Sequence, residues 1–303
     1  MNYKNLTLQD REKFNAAFRR DPRRQCESSF GVTYLWKDIY KTTYAEYGNF
    51  FILKYTLPET DKVAYAFPFG DPTNDEALKD IIELLKAESE AEGHPLFIGP
   101  MVKEDMERME RVFPDAFEFF SSRNEFDYLY SREKLATLAG KKLHGKRNHI
   151  ARFKDNPNWA YEEITDANIA ECVELDKIWL AHQLENGGEV LEAVIEEQSA
   201  VHYALKNLKA LGLTGGAIRR DGKLVAFSIG EPLTEDTYDV HIEKALGEVQ
   251  GAYAVMNQEF VLHNCEGFTY VNREDDNGDE GLRRSKLSYY PEILLEKFVA
   301  KLK

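Results

Sequence analysis

The chain has 303 residues, 43% of them apolar, and a formal net charge of -14. Its length is that of two ordinary domains, and its apolar fraction supports packed cores and argues against a disordered chain. Its acidity disfavours DNA as a partner, no apolar run approaches the roughly 18–20 residues of a membrane helix, and the polar start "MNYKNLTLQDREKF" is no signal peptide, so the expectation is a soluble cytoplasmic protein without a transmembrane segment.

In chain order, "YAEYGNFFILKYTL" (44–57) and "KVAYAFPFG" (62–70) are rich in aromatic and β-branched residues and predict strands. A helix follows over 74–93, with Leu78, Ile81, Ile82 and Leu85 on one face and Gly93 as its stop. "PLFIG" predicts a short strand, "KEDMERMERVF" a helix, and "FEFFSSRNEFDYLYS" (117–131) a strand, a turn and a strand. The pattern then restarts. A helix capped by Ser131 is expected to run through the following basic segment to Pro157. "NWAYEEIT" predicts a strand, and two helices follow over 166–183 and 192–212. Residues 213–233 predict a hairpin turning at Asp221-Gly222. "TYDVHIEKA" predicts a strand, "GAYAVMNQEFVLHNC" a helix, "FTYVNRE" a strand and "EILLEKFVAKL" a closing helix. Both halves therefore mix helices with hairpin-forming strands, an α/β or α+β fold with partly antiparallel sheets, divided near residue 130 into domains 1–130 and 131–303.

Three widely spaced cysteines, Cys26, Cys172 and Cys265, make neither a disulfide framework nor a metal site, and buried thiols are expected. Three other stretches carry candidate chemistry. "KKLHGKRNHIARFK" (141–154) gathers six Lys or Arg without an acid. On a helix, Lys146 and Arg147 fall beside the apolar seam of Leu143 and Ile150. They read either as side chains snorkelling past that seam or, with Asn148, as a wall for phosphate or carboxylate groups. In 239–260, Gly247, Gly251 and Ala252 lie in a loop at a helix start, where free N–H groups can receive an anion. His241 and Glu243 alternate onto one face of the preceding strand and are candidate acid/base groups. In "YVNREDDNGDEGLRRSKLSYYP" (270–291), Asn272, Arg283 and Lys286 flank or follow an acidic loop. The loop and the cations either neutralise one another or together clamp an anionic substrate.

"GKKLHGKRNHIARF", "HIEKA" and "NREDDNGDEGLRRSKLSYYP" occur in this order. Together they resemble the soluble bacterial relatives of the C-terminal domain of phosphatidylglycerol lysyltransferase. The resemblance implies two GNAT-like domains in tandem, similar to the Fem-type aminoacyltransferases. It puts "GEVQGAYAVMNQEF" at the GNAT phosphate loop, whose pattern is Gln/Arg-x-x-Gly-x-Gly/Ala. This chain departs from that pattern with Glu248 three before Gly251 and Tyr253 two after it. An acid at 248 repels a pyrophosphate, which gives weight to aminoacyl-tRNA or another donor substrate over acyl-CoA.

The expected activity is transfer of an acyl or aminoacyl group to an amine or hydroxyl of a small-molecule acceptor, with no tightly bound cofactor. Glu243 or His241 would move the proton. Arg283 and Lys286 would hold the donor phosphate or the developing charge, and Lys146, Arg147 and Asn148 would form a second anion-binding wall. A different class, a non-catalytic tandem-GNAT protein that binds an anionic metabolite or RNA, stays open beside it.

Overall fold

The computed structural model describes residues 1–58, 60–185 and 192–303. Its elements run β1 (Lys4–Asn5), α1 (Arg11–Arg20), α2 (Phe30–Leu35), β2 (Thr43–Tyr47), β3 (Phe50–Leu57), β4 (Lys62–Tyr65), α3 (Asp75–Glu92), β5 (Phe97–Met101), α4 (Lys103–Val112) and β6 (Phe117–Ser121). They continue with β7 (Asp127–Ser131), α5 (Arg132–Thr137), α6 (His144–Lys154), β8 (Trp159–Glu163), α7 (Ile169–Glu185), α8 (Glu192–Lys206) and α9 (Leu208–Leu211). The remainder are β9 (Thr214–Arg220), β10 (Lys223–Pro232), β11 (Thr237–Ala245), α10 (Ala252–Asn264), β12 (Tyr270–Asn272), α11 (Glu280–Leu287), β13 (Ile293–Leu295) and β14 (Phe298–Leu302).

The chain divides into two compact units. The first holds Met1–Tyr128, Asp275–Arg284 and Leu294–Lys303; the second holds Leu129–Glu274 and Ser285–Ile293. Two C-terminal segments thus belong to the first unit. The reason is strand pairing. Phe298–Leu302 is a strand, not the end of a helix, and it pairs with both β5 and β6. The apolar spacing of 293–302 also fits a helix, but the unpaired edges of β5 and β6 reward extended backbone, and tertiary pairing overrides local preference.

The first sheet has the order β1-β2-β3-β4-β5-β14-β6, and the second β13-β7-β12-β11-β10-β9-β8. Written from β8, the second repeats the layout of the first. Antiparallel strands lead to a parallel pair joined by a helix, then to a strand from a distant part of the chain, then to an edge strand. The parallel pairs are β4–β5, crossed by α3, and β11–β12, crossed by α10.

Local signals place these elements. Asn74 caps α3 by accepting from Ala77 N–H at 3.0 Å, and Gly93 ends it at φ 75°. The helix buries Leu78, Ile81, Ile82 and Leu85 on the first sheet's core with Ile52, Tyr65 and Ile98. Each fully buried aliphatic side chain contributes about 1.5–3 kcal/mol. Asp221 and Gly222 both have positive φ, as the tight β9–β10 hairpin requires. Ser131 caps α5 through Lys134 N–H. The helix expected from Ser131 to Pro157 is broken at Leu138 (φ 50°) and Gly140 (φ 93°), so the basic segment forms a separate helix, α6. The acidic loop leads into α11, a helix the turn-rich sequence around it conceals. All three cysteines are buried free thiols, and burial pushes Cys172 and Cys265 up to about 12.

Candidate active site

β11 is nine residues long, but its parallel partner β12 meets only Thr237, Tyr238 and Asp239. Beyond Asp239 the two strands part. On its other side β11 stays paired with β10 across a bulge at Ile229/Gly230. A β-carbon on Gly230 would lie 2.2 Å from the Asp239 carbonyl oxygen, so only glycine allows that approach. The alternation of β11 puts Asp239, His241 and Glu243 on one face and Val240, Ile242 and Lys244 on the other.

His241 is buried among carboxylates. Its Nε2 is 3.1 Å from Glu231 Oε1, and its Nδ1 is 2.9 Å from Glu274 Oε1 and 3.5 Å from Asp239 Oδ2. Burial alone would lower its pKa, but Asp239, Glu231 and Glu274 outweigh burial and hold it well above its usual value. This cage therefore favours the imidazolium form of His241.

Glu243 faces a cavity of about 220 Å³ where β11 and β12 part, together with Lys146, Arg273 and Tyr289. Its Oε1 pairs with Arg273 Nη2 at 3.0 Å, and Oε2 accepts from Asn257 Nδ2 at 3.4 Å. The Arg273 guanidinium lies over the rings of Tyr289 (5.1 Å) and Tyr130 (5.7 Å), which adds cation–π attraction. Its Nη1 is buried and, among the described residues, has no hydrogen-bond partner, and neither does Asn257 Oδ1. A native protein seldom leaves a buried donor unmatched, because each costs roughly 1–3 kcal/mol.

Lys146 reaches the cavity from α6, with Nζ 3.9 Å from the Tyr289 ring centroid. Burial and the nearby Arg273 charge lower it to about 8, against an opposing pull from Glu243. Burial pushes Tyr289 up to about 12.

The other expected site residues divide into supports and bystanders. Lys286 Nζ donates to the Arg273 carbonyl at 2.6 Å, and Asn272 Oδ1 accepts from Glu274 N–H at 2.7 Å, so both set the backbone that carries Arg273. Arg147 donates to the carbonyls of Leu138 and Gly140 and braces the turn before α6. Asn148 contacts His144 Nε2 at 3.2 Å on the exposed side of that helix. Arg283 belongs to the first unit and binds Asp276 there. Gly247, Gly251 and Ala252 line the cavity. Gly247 has open space around it. At Gly251 the close approach comes from within the protein: a β-carbon would lie 2.6 Å from the His149 carbonyl oxygen, so glycine lets α6 seat on the start of α10.

Arg273 and Tyr289 are site residues that the sequence does not single out. Arg273 is one cation at the edge of an acidic run, and its only signal is its place directly after the strand residues "YVN". A larger groove of about 810 Å³ shares Leu246 and Val249 with this cavity. Its floor is Leu175, Ile178, Leu224 and Val225, and it lacks the convergent Lys146–Arg273–Glu243 cluster.

Residues 18–301 match the model of the family described as phosphatidylglycerol lysyltransferase, C-terminal. A conserved protein of unknown function from Bacteroides thetaiotaomicron VPI-5482 is 38% identical over 100% of both chains, with a TM-score of 0.92. L-PGS from Bacillus licheniformis has the same fold at 15% identity and a TM-score of 0.65, covering 96% of this chain and 91% of its own. FemX has it at 10% identity and a TM-score of 0.60, covering 98% and 97%. The two similar sheets are those of tandem GNAT proteins. The chain belongs to the phosphatidylglycerol lysyltransferase C-terminal family.

Proposed function

We propose that this protein is a cytoplasmic transferase that moves an activated aminoacyl or acyl group from a phosphate-bearing donor to an amine or hydroxyl acceptor. The observation that carries the reading is Arg273. It is held through Nη2 by Glu243, stacked on two tyrosines, and left with Nη1 unpartnered at a cavity where two parallel strands part. A donor carbonyl in that cavity would gain an N–H as its oxygen becomes negative in the tetrahedral intermediate. Stabilisation of this kind, by a fixed and desolvated donor, often supplies more of the rate of acyl transfer than any other single effect. The cavity supplies position, Arg273 the oxyanion contact, and Glu243 the alignment of Arg273.

Aminoacyl-tRNA is the donor the residues favour. Glu248 stands in the loop before α10, where a coenzyme A pyrophosphate would meet a carboxylate. The family description names lysyl transfer. Purified protein is expected to move a labelled amino acid from charged tRNA to an amine- or hydroxyl-bearing acceptor. Arg273→Gln is expected to lower the rate about 10²–10³-fold. Absence of transfer from every aminoacyl-tRNA and acyl-CoA would overturn the reading. Binding of an anionic metabolite or RNA without turnover would then support the non-catalytic alternative, which the acid at 248 also suits.

A further inference from the structure

An acyl transfer needs a group to take the acceptor's proton, and the polar groups at this cavity are unequally free to do so. Glu243 is committed: one oxygen pairs with Arg273 and the other accepts from Asn257. Protonating it would release the guanidinium it aligns. His241 is enclosed by Glu231, Asp239 and Glu274 and already holds its proton. Lys146 differs from both. Among the described residues its Nζ forms no ion pair or hydrogen bond, although the chain has an excess of acids. Its contact is the face of Tyr289, which it shares with the Arg273 guanidinium.

Resting on the transfer reading above, we infer that Lys146 is the general base of this site, acting as a neutral amine. Two features of its surroundings favour the neutral form: partial burial and a second cation on the same ring. The other charged or titratable groups at the cavity are His149 on its own helix, Glu243 on β11, Tyr253 on α10, and Tyr289. Of these, Glu243 opposes the effect, and its pairing with Arg273 blunts it. The resulting value of about 8 leaves a useful neutral fraction near physiological pH.

The step balances without any further reactant. The acceptor oxygen or nitrogen bonds to the donor carbonyl carbon as its proton passes to Lys146 Nζ. The resulting ammonium then gives that proton to the departing ester oxygen as the carbon–oxygen bond of the donor breaks. The developing oxyanion meanwhile faces Arg273 Nη1.

The test separates a base from a mere positive charge. Lys146→Arg keeps the charge and cannot deprotonate at neutral pH. The expected result is a loss of about 10²–10⁴-fold in kcat with an unchanged melting temperature. The activity of Lys146→Ala is expected to return in part on addition of methylamine or ethylamine. In the unaltered protein, trinitrobenzenesulfonate labelling mapped by mass spectrometry should show Lys146 reacting with a midpoint near pH 8, below the other lysines. Transfer that survives Lys146→Arg, or labelling at the ordinary lysine pH, overturns the base role alone. Absence of transfer from every donor overturns the transfer reading and the base role with it.

Discussion

Arg283 grips Asp276 with two hydrogen bonds, Nε to Oδ2 at 2.9 Å and Nη2 to Oδ1 at 2.7 Å. The Asp276 side chain is fully enclosed, and the Tyr128 hydroxyl and the Gly278 N–H also donate to it. Burial pushes the Asp276 carboxyl up, but Arg283, Tyr128 and Gly278 more than reverse this and hold it down to about 2. A depressed acid stabilises the fold fully above its unfolded value, and that contribution is lost as pH falls through its native value. The window for this loss is about pH 4 to 2. Arg283→Ala leaves Asp276 enclosed without its main partner and is expected to lower Tm by roughly 5 °C or more at neutral pH. Calorimetry down to pH 2 should show the difference between variant and parent shrinking.

The carboxylate cage of His241 has the opposite sign. Its pKa is raised on folding, so its contribution is full below the unfolded value near 6.5 and fades only as pH rises through the native one. His241→Gln removes the cation and leaves Glu231, Asp239 and Glu274 facing one another. The expected cost is about 3 kcal/mol at roughly pH 8. It should be no smaller near pH 5, where that contribution is fully present. Urea midpoints at the two pH values measure the difference.

Gly251→Ala tests how α6 is seated. The residue has φ 88°, and the added methyl group would collide with the His149 carbonyl. The expected destabilisation is roughly 1–3 kcal/mol from backbone strain. Because Lys146 and His149 ride on the same helix, transfer activity should fall further than stability alone explains. Turnover measured well below the melting temperature reports that excess.

Lys286→Met tests support of the site from behind. The ammonium holds the Arg273 carbonyl, and the Tyr130 hydroxyl donates to the Lys286 carbonyl at 2.8 Å. Removing the ammonium frees the backbone at Arg273 without altering any group named in the chemistry. The expected outcome is a roughly tenfold fall in kcat with little change in KM, checked by steady-state kinetics.

What could be read from the sequence was local. Gly93, Ser131 and Asp221-Gly222 announce their stop, cap and turn because backbone conformation there depends on one or two side chains. The shared face of His241 and Glu243 follows from the period of a strand, but their different surroundings do not. Glu231 and Arg273, which distinguish them, come from other parts of the chain. Lys146 is visible as a cation beside an apolar seam, whereas its lack of an ion pair among the described residues depends on Glu243 turning to Arg273. The segment 293–302 misleads because its apolar spacing suits a helix as well as a strand, and its partners lie far earlier in the chain.

The exchanged strands have a consequence for how the chain is made. The gap between β5 and β6 is filled by β14, which is made long after either of them, and β7, synthesised beside β6, enters the other sheet. The first sheet therefore waits for β14, and its early strands stay open to wrong partners until then. A chain stopped after Ile293 lacks β14 and is expected to be insoluble, because two inner edges would be left bare. Supplying residues 294–303 as a separate peptide during refolding should restore soluble protein.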